Sequence, residues 1–188
     1  MHKVEFEPAF FHRFLNCGPA VLAVAQGHAA VPNIITLAWA APLSHEPPLL
    51  VISVSPRRYS HGLIKTGGEV TINVPPWELL EEVAFCGRVS GRDVDKFAET
   101  ALTPVPSARV KPPGIEQCLV TLECTLEKSL EAGDHTAFIL RVIRVVADEE
   151  AAMNRFGPGP GKPTTIHHLT GNFYAPLGGP ARAAGKPR

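Results

Sequence analysis

Nineteen prolines constrain this 188-residue chain more than any other feature. They cluster at Pro47-Pro48, Pro75-Pro76, Pro104 with Pro106, Pro112-Pro113, and from Pro158 to Pro163. Proline lacks the backbone N–H and clashes with the preceding helical turn, so no long helix can run through these points. The pieces left between them are short and rich in β-branched and apolar residues. Residues 20–25, 33–40, 49–55, 70–74, 118–130 and 136–147 read as strands.

The clearest strand is 118–130. Cys118, Val120, Leu122, Cys124 and Leu126 alternate with Leu119, Thr121, Glu123, Thr125 and Glu127, which predicts one buried and one largely polar face. Glu131-Ala132-Gly133-Asp134 supplies turn chemistry, so this strand pairs with the run after Thr136 as an antiparallel hairpin. Three short helices are expected: 60–66 closed by Gly67-Gly68, 76–85 closed near Gly87, and 93–100 capped by Asp93. Many strands, few helices and no βαβ alternation predict a closed or partly closed barrel, because closure hides strand edges.

The chain length fits one domain, 1–188, with a core over about 12–178 and a flexible tail at 179–188. Hydrophobic residues at 45% allow roughly 70% of the unfolded surface to be buried, which excludes a disordered chain. Eighteen basic and eighteen acidic residues cancel, so no global field gathers nucleic acid. The apolar runs are too short to span a membrane as helices, and Glu5 and Glu7 interrupt any secretory leader, so a cytoplasmic protein is expected. Cys17, Cys86, Cys118 and Cys124 show no C-x-x-C spacing and read as free thiols. On one strand, Cys118 and Cys124 would lie roughly 20 Å apart, beyond a disulfide.

Several chemistries are absent from the pattern. Gly157, Gly159 and Gly161 mimic a phosphate loop, but Pro158, Pro160 and Pro163 remove the donors it needs, so a surface loop is expected. Gly87-Arg88-Val89-Ser90-Gly91 misses the spacing of a hydrolase elbow. His167 and His168 point to opposite faces of a strand and do not readily share one metal, so no metal is expected. No G-x-G-x-x-G follows a strand.

Four segments carry positive information: 33–39, 53–61, 90–97 and 133–136. Ser60 can cap a short helix beginning at His61, whose N-terminal donors would suit a phosphate, with Arg57 upstream to grip it; the alternative is a solvated arginine beside an ordinary cap. Asn33, Thr36 and Trp39 put an amide, a hydroxyl and a flat ring on one strand, suited to a planar heteroaromatic ligand or simply to the core. Lys96 in a first helical turn opposes the dipole, which suggests a ligand or an exposed lysine. His135 at a strand mouth is either structural or a donor to a reacting group, and Asp134 beside it reads as a turn residue.

As a set, N-I-I-T-L-A-W, then P-P-L-L-V-I-S-V-S-P-R-R-Y-S-H and S-G-R-D-V-D-K-F, resembles the flavin reductase-like family of FMN-binding split β-barrels, within it the flavoredoxin type. The resemblance runs over 19–147, with a weaker echo at Gly171-Asn172-Phe173-Tyr174. It implies an antiparallel Greek-key split barrel with a few short peripheral helices, and FMN held by Asn33, Thr36, Ala38, Trp39, Ser53, Val54 and Ser55. It further implies a phosphate meeting Arg57, Ser60 and His61, with Lys96 as a second cation. A homodimer with Tyr174 contributed across the interface is implied as well. NADH or NADPH, or a redox protein partner, would supply electrons, with His135 as the catalytic candidate.

Overall fold

Alternating apolar residues need partners for both their side chains and their backbone groups, and here seven strands satisfy both needs in one antiparallel sheet. The computed structural model describes residues 4–5, 7–16, 18–29, 31–149 and 163–177. Its strands are β1 (Val21–Ala25), β2 (Asn33–Leu37), β3 (Ala40–Ser44), β4 (Leu49–Val54), β5 (Glu69–Val74), β6 (Pro104–Val105), β7 (Gly114–Ile115), β8 (Val120–Ala132), β9 (His135–Ala147), β10 (Ile166–Thr170) and β11 (Phe173–Pro176). The helices are α1 (His12–Leu15), α2 (Tyr59–Gly67) and α3 (Leu80–Arg88). No described helix is long and apolar enough to cross a membrane.

The main sheet has the order β2-β1-β5-β8-β9-β4-β3. Its two edge strands, β2 and β3, are joined only by Ala38 and Trp39. Three Cα steps span at most ~11 Å, so the sheet has to curl until its edges meet at this corner. The result is a split barrel whose split falls at Trp39. The β8–β9 hairpin turns at Gly133-Asp134, with Ala132 opposite His135 and Gly133 at φ 62°. Glycine tolerates that left-handed backbone at little cost.

The curled sheet separates two apolar layers. Inside, Ala23, Ile35, Ile52, Val70, Phe138 and Leu140 pack with Leu63 and Ile64 of α2. Outside, Leu22, Val24 and Ile34 meet Val83 and Cys86 of α3 together with Leu102, Ile115 and Ile166. β1 is therefore buried on both faces, which explains its unbroken apolar run.

Residues 93–100 form turns instead of the expected helix. Asp95 Oδ1 accepts the N–H groups of Phe97 and Ala98, a local arrangement that competes with a helical ladder. Helix α2 starts at Tyr59, with Arg58 at its N-cap and no side-chain cap, so Ser60 lies inside the first turn rather than capping it. α3 begins after a 3₁₀ turn at Trp77–Leu79 and runs on through Gly87 to Arg88. The expected strand 33–40 breaks at Ala38-Trp39, leaving Ala40 to start β3, and β6, β7, β10 and β11 lie outside the expected runs because they carry no clear alternation. On β8, Glu123 keeps the face opposite Leu122 and Cys124 that the alternation gives it, yet the 108–109 backbone covers it and it is 1% exposed.

Cys86, Cys118 and Cys124 are free thiols, whereas Cys17 lies outside the described residues, as do 157–162 of the proline-glycine loop and the 179–188 tail. Burial pushes Cys86 up to about 11 and the other two up to about 12, leaving little thiolate near neutrality.

Candidate functional site

The corner that closes the barrel also opens a groove. Trp39 cannot enter the filled interior and is 40% exposed, while its carbonyl accepts the N–H of Ser53 on β4 at 3.0 Å. Beside it lies a cavity of about 270 Å³ walled by Thr36, Ala38, Trp39, Ser53, Ser55 and His135. Val54 also borders it, along with three residues that were not among the expected site residues: Asn16, Arg58 and His168. A second cavity of about 170 Å³ is walled by Asn33, Arg57, Ser60, Arg88, Arg92 and Lys96. Both cavities touch Ile35, Arg58 and Gly87, so they are two ends of one groove. Together they fall within the roughly 300–1,000 Å³ of small-molecule sites.

The two ends differ in chemistry. At the first, the Trp39 and His135 rings sit 5.0 Å apart, and His135 Nδ1 donates to Asp134 Oδ1 at 2.8 Å. That hydrogen bond, reinforced by the histidine's charge when protonated, holds the Asp134 carboxyl below its usual range. Thr36 donates its hydroxyl to the Val83 carbonyl at 2.6 Å, tying β2 to α3. Asn16 accepts from the Trp39 indole and pairs with His168.

The other end is cationic. Arg57, Arg58, Arg88, Arg92 and Lys96 gather there, and none of them is ion-paired with a carboxylate among the described residues. Arg92 lies over the Tyr59 ring at 5.4 Å and reaches the Arg57 carbonyl. Lys96 is 3% exposed; its Nζ donates to the carbonyls of Ile34 at 2.6 Å and Cys86 at 2.7 Å. Burial lowers its pKa to about 8, with nearby Arg58 adding to the shift and Cys86 opposing it. It is thus neither in a helical first turn nor on the surface.

Asn33 donates to Ser60 Oγ at 2.6 Å, which joins β2 to α2 under this end of the groove. Gly91 covers the Asn33 amide so closely that a Cβ there would overlap it. Two expected residues line neither cavity. His61 turns its ring onto Phe138 at 5.1 Å and pairs through Nε2 with Thr136 Oγ1 at 2.9 Å, because one step along a helix rotates the side chain by ~100° away from Ser60. Burial lowers its pKa, with Lys65 adding to the effect and Glu131 opposing it. Tyr174 packs on the outer core and against His168 at 5.1 Å, and burial raises its pKa against the influence of Arg88.

Among the described residues no group of three His, Cys, Asp or Glu could hold a metal ion. A separate cavity of about 520 Å³ lies between the 105–119 segment and β8–β9 and contains none of the expected site residues.

The fold is a mainly β split barrel with short peripheral helices. The model of the flavin reductase like domain matches residues 13–168, and the chain belongs to that family. A protein of Archaeoglobus fulgidus is 42% identical over 114 residues, which are 61% of this chain and 64% of that protein. The chain thus spans somewhat less than two thirds of that relative's length. Flavoredoxin of Desulfovibrio vulgaris (Miyazaki F) shares 26% identity with a TM-score of 0.78, covering 97% of each chain. An FMN-binding protein from Thermus thermophilus has the same fold, with 23% identity, a TM-score of 0.79 and 98% of each chain covered.

Proposed function

We propose that this protein binds FMN along the groove and transfers electrons between NADH or NADPH and the flavin. The observation that carries the reading is Lys96, a buried ammonium with two carbonyl acceptors and no carboxylate, at the floor of a cavity ringed by four arginines. Burying an unpaired charge is costly, and a bound phosphate would supply the missing counter-ion. The uncapped N-terminus of α2 adds free donors on the same side. The residues present therefore fit a ribityl phosphate at the cationic end and a planar ring against Trp39.

Bound flavin would supply the hydride-accepting chemistry. The chain's own contribution is orientation: Trp39 offers an apolar wall, Ser53 and Ser55 offer polar groups along β4, and His135 offers Nε2 toward the groove while Asp134 engages Nδ1. Tyr174, which lines neither cavity of its own chain, is assigned to a homodimer interface, and size-exclusion chromatography with light scattering checks whether that dimer forms.

Anaerobic mixing of the purified protein with NADH or NADPH and excess FMN tests the activity. Repeated oxidation of the nicotinamide supports a flavin reductase. Retained yellow colour without turnover supports the second reading, an electron carrier, which the likeness to flavoredoxin favours. A preparation that takes up no flavin rejects both. Arg57→Glu is expected to weaken FMN binding at least tenfold while leaving the thermal midpoint nearly unchanged, because Arg57 is an exposed loop residue. Unaltered FMN affinity in that variant counts against the phosphate assignment.

A further inference from the structure

Asn16 follows α1 and belongs to none of the motifs singled out above. Trp39 Nε1 donates to its Oδ1 at 3.2 Å, and its Nδ2 lies 2.7 Å from His168 Nδ1. An indole N–H can only donate, so the amide oxygen has to face Trp39 and the amide nitrogen has to face His168. That nitrogen only donates, so His168 Nδ1 accepts and carries no proton. His168 Nε2 lies 3.0 Å from the Gly171 carbonyl, which only accepts, so Nε2 carries the proton. One arrangement of hydrogens satisfies all four groups, and it runs from Trp39 through Asn16 and His168 to Gly171. A protonated imidazole would set two donors against each other at Asn16.

Asn16, Trp39 and His168 all line the ring end of the groove. His168 also ties β10 down through its N–H to the Gly18 carbonyl at 3.3 Å. The geometry points to Asn16 as a positioning residue: it holds the Trp39 indole as a fixed wall and links it to the β10–β11 hairpin through a neutral His168. The ligand leaning on that wall rests on the flavin reading; the hydrogen-bond chain does not. The titratable and charged groups around His168 are Tyr174 on β11, with His135 and Arg58 lining the same cavity, and His12 borders Trp39 at 6.3 Å.

The test compares the unaltered protein with Asn16→Ala and Asn16→Asp between pH 5.5 and 8.5. The readouts are nitrogen NMR of the His168 ring in the flavin-free protein and the affinity for riboflavin, which lacks the phosphate and so reports on the ring end. The unaltered protein is expected to show the Nε2–H tautomer. Asn16→Ala is expected to weaken that preference, which the Gly171 carbonyl alone then holds, and to weaken riboflavin binding about tenfold. In Asn16→Asp the new carboxylate still accepts from Trp39 but cannot donate to His168, and only a protonated ring then satisfies both it and Gly171. Riboflavin affinity in that variant should therefore approach the unaltered value at the acidic end of the range and fall toward the alkaline end, as the ring gives up its second proton. Unchanged tautomer and affinity in Asn16→Ala, or an Asn16→Asp profile parallel to that of the unaltered protein, overturns the proposal. If the unaltered protein binds neither riboflavin nor FMN, the flavin reading fails, and the tautomer alone decides whether Asn16 sets the chain.

Discussion

Lys96→Met is expected to lower FMN affinity about 100-fold at pH 7 and to leave riboflavin affinity within about threefold. The first figure corresponds to ~2.7 kcal/mol, the size of one buried charge-assisted hydrogen bond. The second follows because riboflavin has no phosphate for the ammonium to meet. The unaltered protein should also show a pH dependence that the variant lacks. With a pKa of about 8, Lys96 is largely charged at pH 7 and largely neutral by pH 9. An anion beside Nζ favours the charged form, so the bound value lies above the free one. Affinity is then full below about 8 and falls as pH rises past it, with proton uptake on binding in that window. Calorimetry at pH 7 to 9.5 in buffers of different ionisation enthalpy measures both effects. A flat profile, or equal losses for FMN and riboflavin in Lys96→Met, removes the phosphate from Lys96.

Glu123→Ala should destabilise the fold by roughly 2–3 kcal/mol, a large loss for a polar side chain away from the groove. Glu123 is 1% exposed; it accepts the N–H of Ala108 at 3.1 Å and of Arg109 at 2.7 Å, and it pairs with Arg144. Removing the carboxylate strands two backbone donors and one guanidinium. The cost falls below the ~3–5 kcal/mol of a fully buried pair because Arg144 reaches solvent. Burial alone would raise the Glu123 pKa, but the Ala108 N–H, Arg144 and the Arg109 N–H outweigh it, and the net shift is downward. A carboxylate depressed in the folded state contributes stability above its unfolded value of ~4.3, and that stability is lost as pH falls through the folded value. Urea unfolding at pH 7 and at successively lower pH should show the gap between Glu123→Ala and the unaltered protein closing in acid. A gap that persists unchanged would assign the loss to packing instead.

Both predictions concern residues whose identity was plain in the sequence but whose surroundings were not. Lys96 lies in S-G-R-D-V-D-K-F, which reads as the start of a helix; Asp95 bonds to the backbone N–H groups of Phe97 and Ala98, and the segment forms turns instead. Glu123 occupies a polar position in a clean alternation, and the 108–109 loop, which lies outside the hairpin, folds over that face. His61 followed a correctly placed loop, yet helical rotation carried its ring onto Phe138.

The strand runs and the β8–β9 hairpin with its turn at Gly133-Asp134 were readable from residue order, because alternation and turn propensity are local and need only a few neighbours, whereas the grouping of Asn33, Trp39, Arg57 and His135 into one site was implied only by the family resemblance. The placement of consecutive strands β2 and β3 at opposite edges, the arrangement of Arg58, Arg88 and Arg92 around one buried lysine, and the pairing of Asn16 with His168, 152 positions away, were decided by the curl of the sheet. Periodicity reports which face of a segment is apolar, whereas closure of the barrel selects which distant faces meet and so which polar groups must satisfy one another.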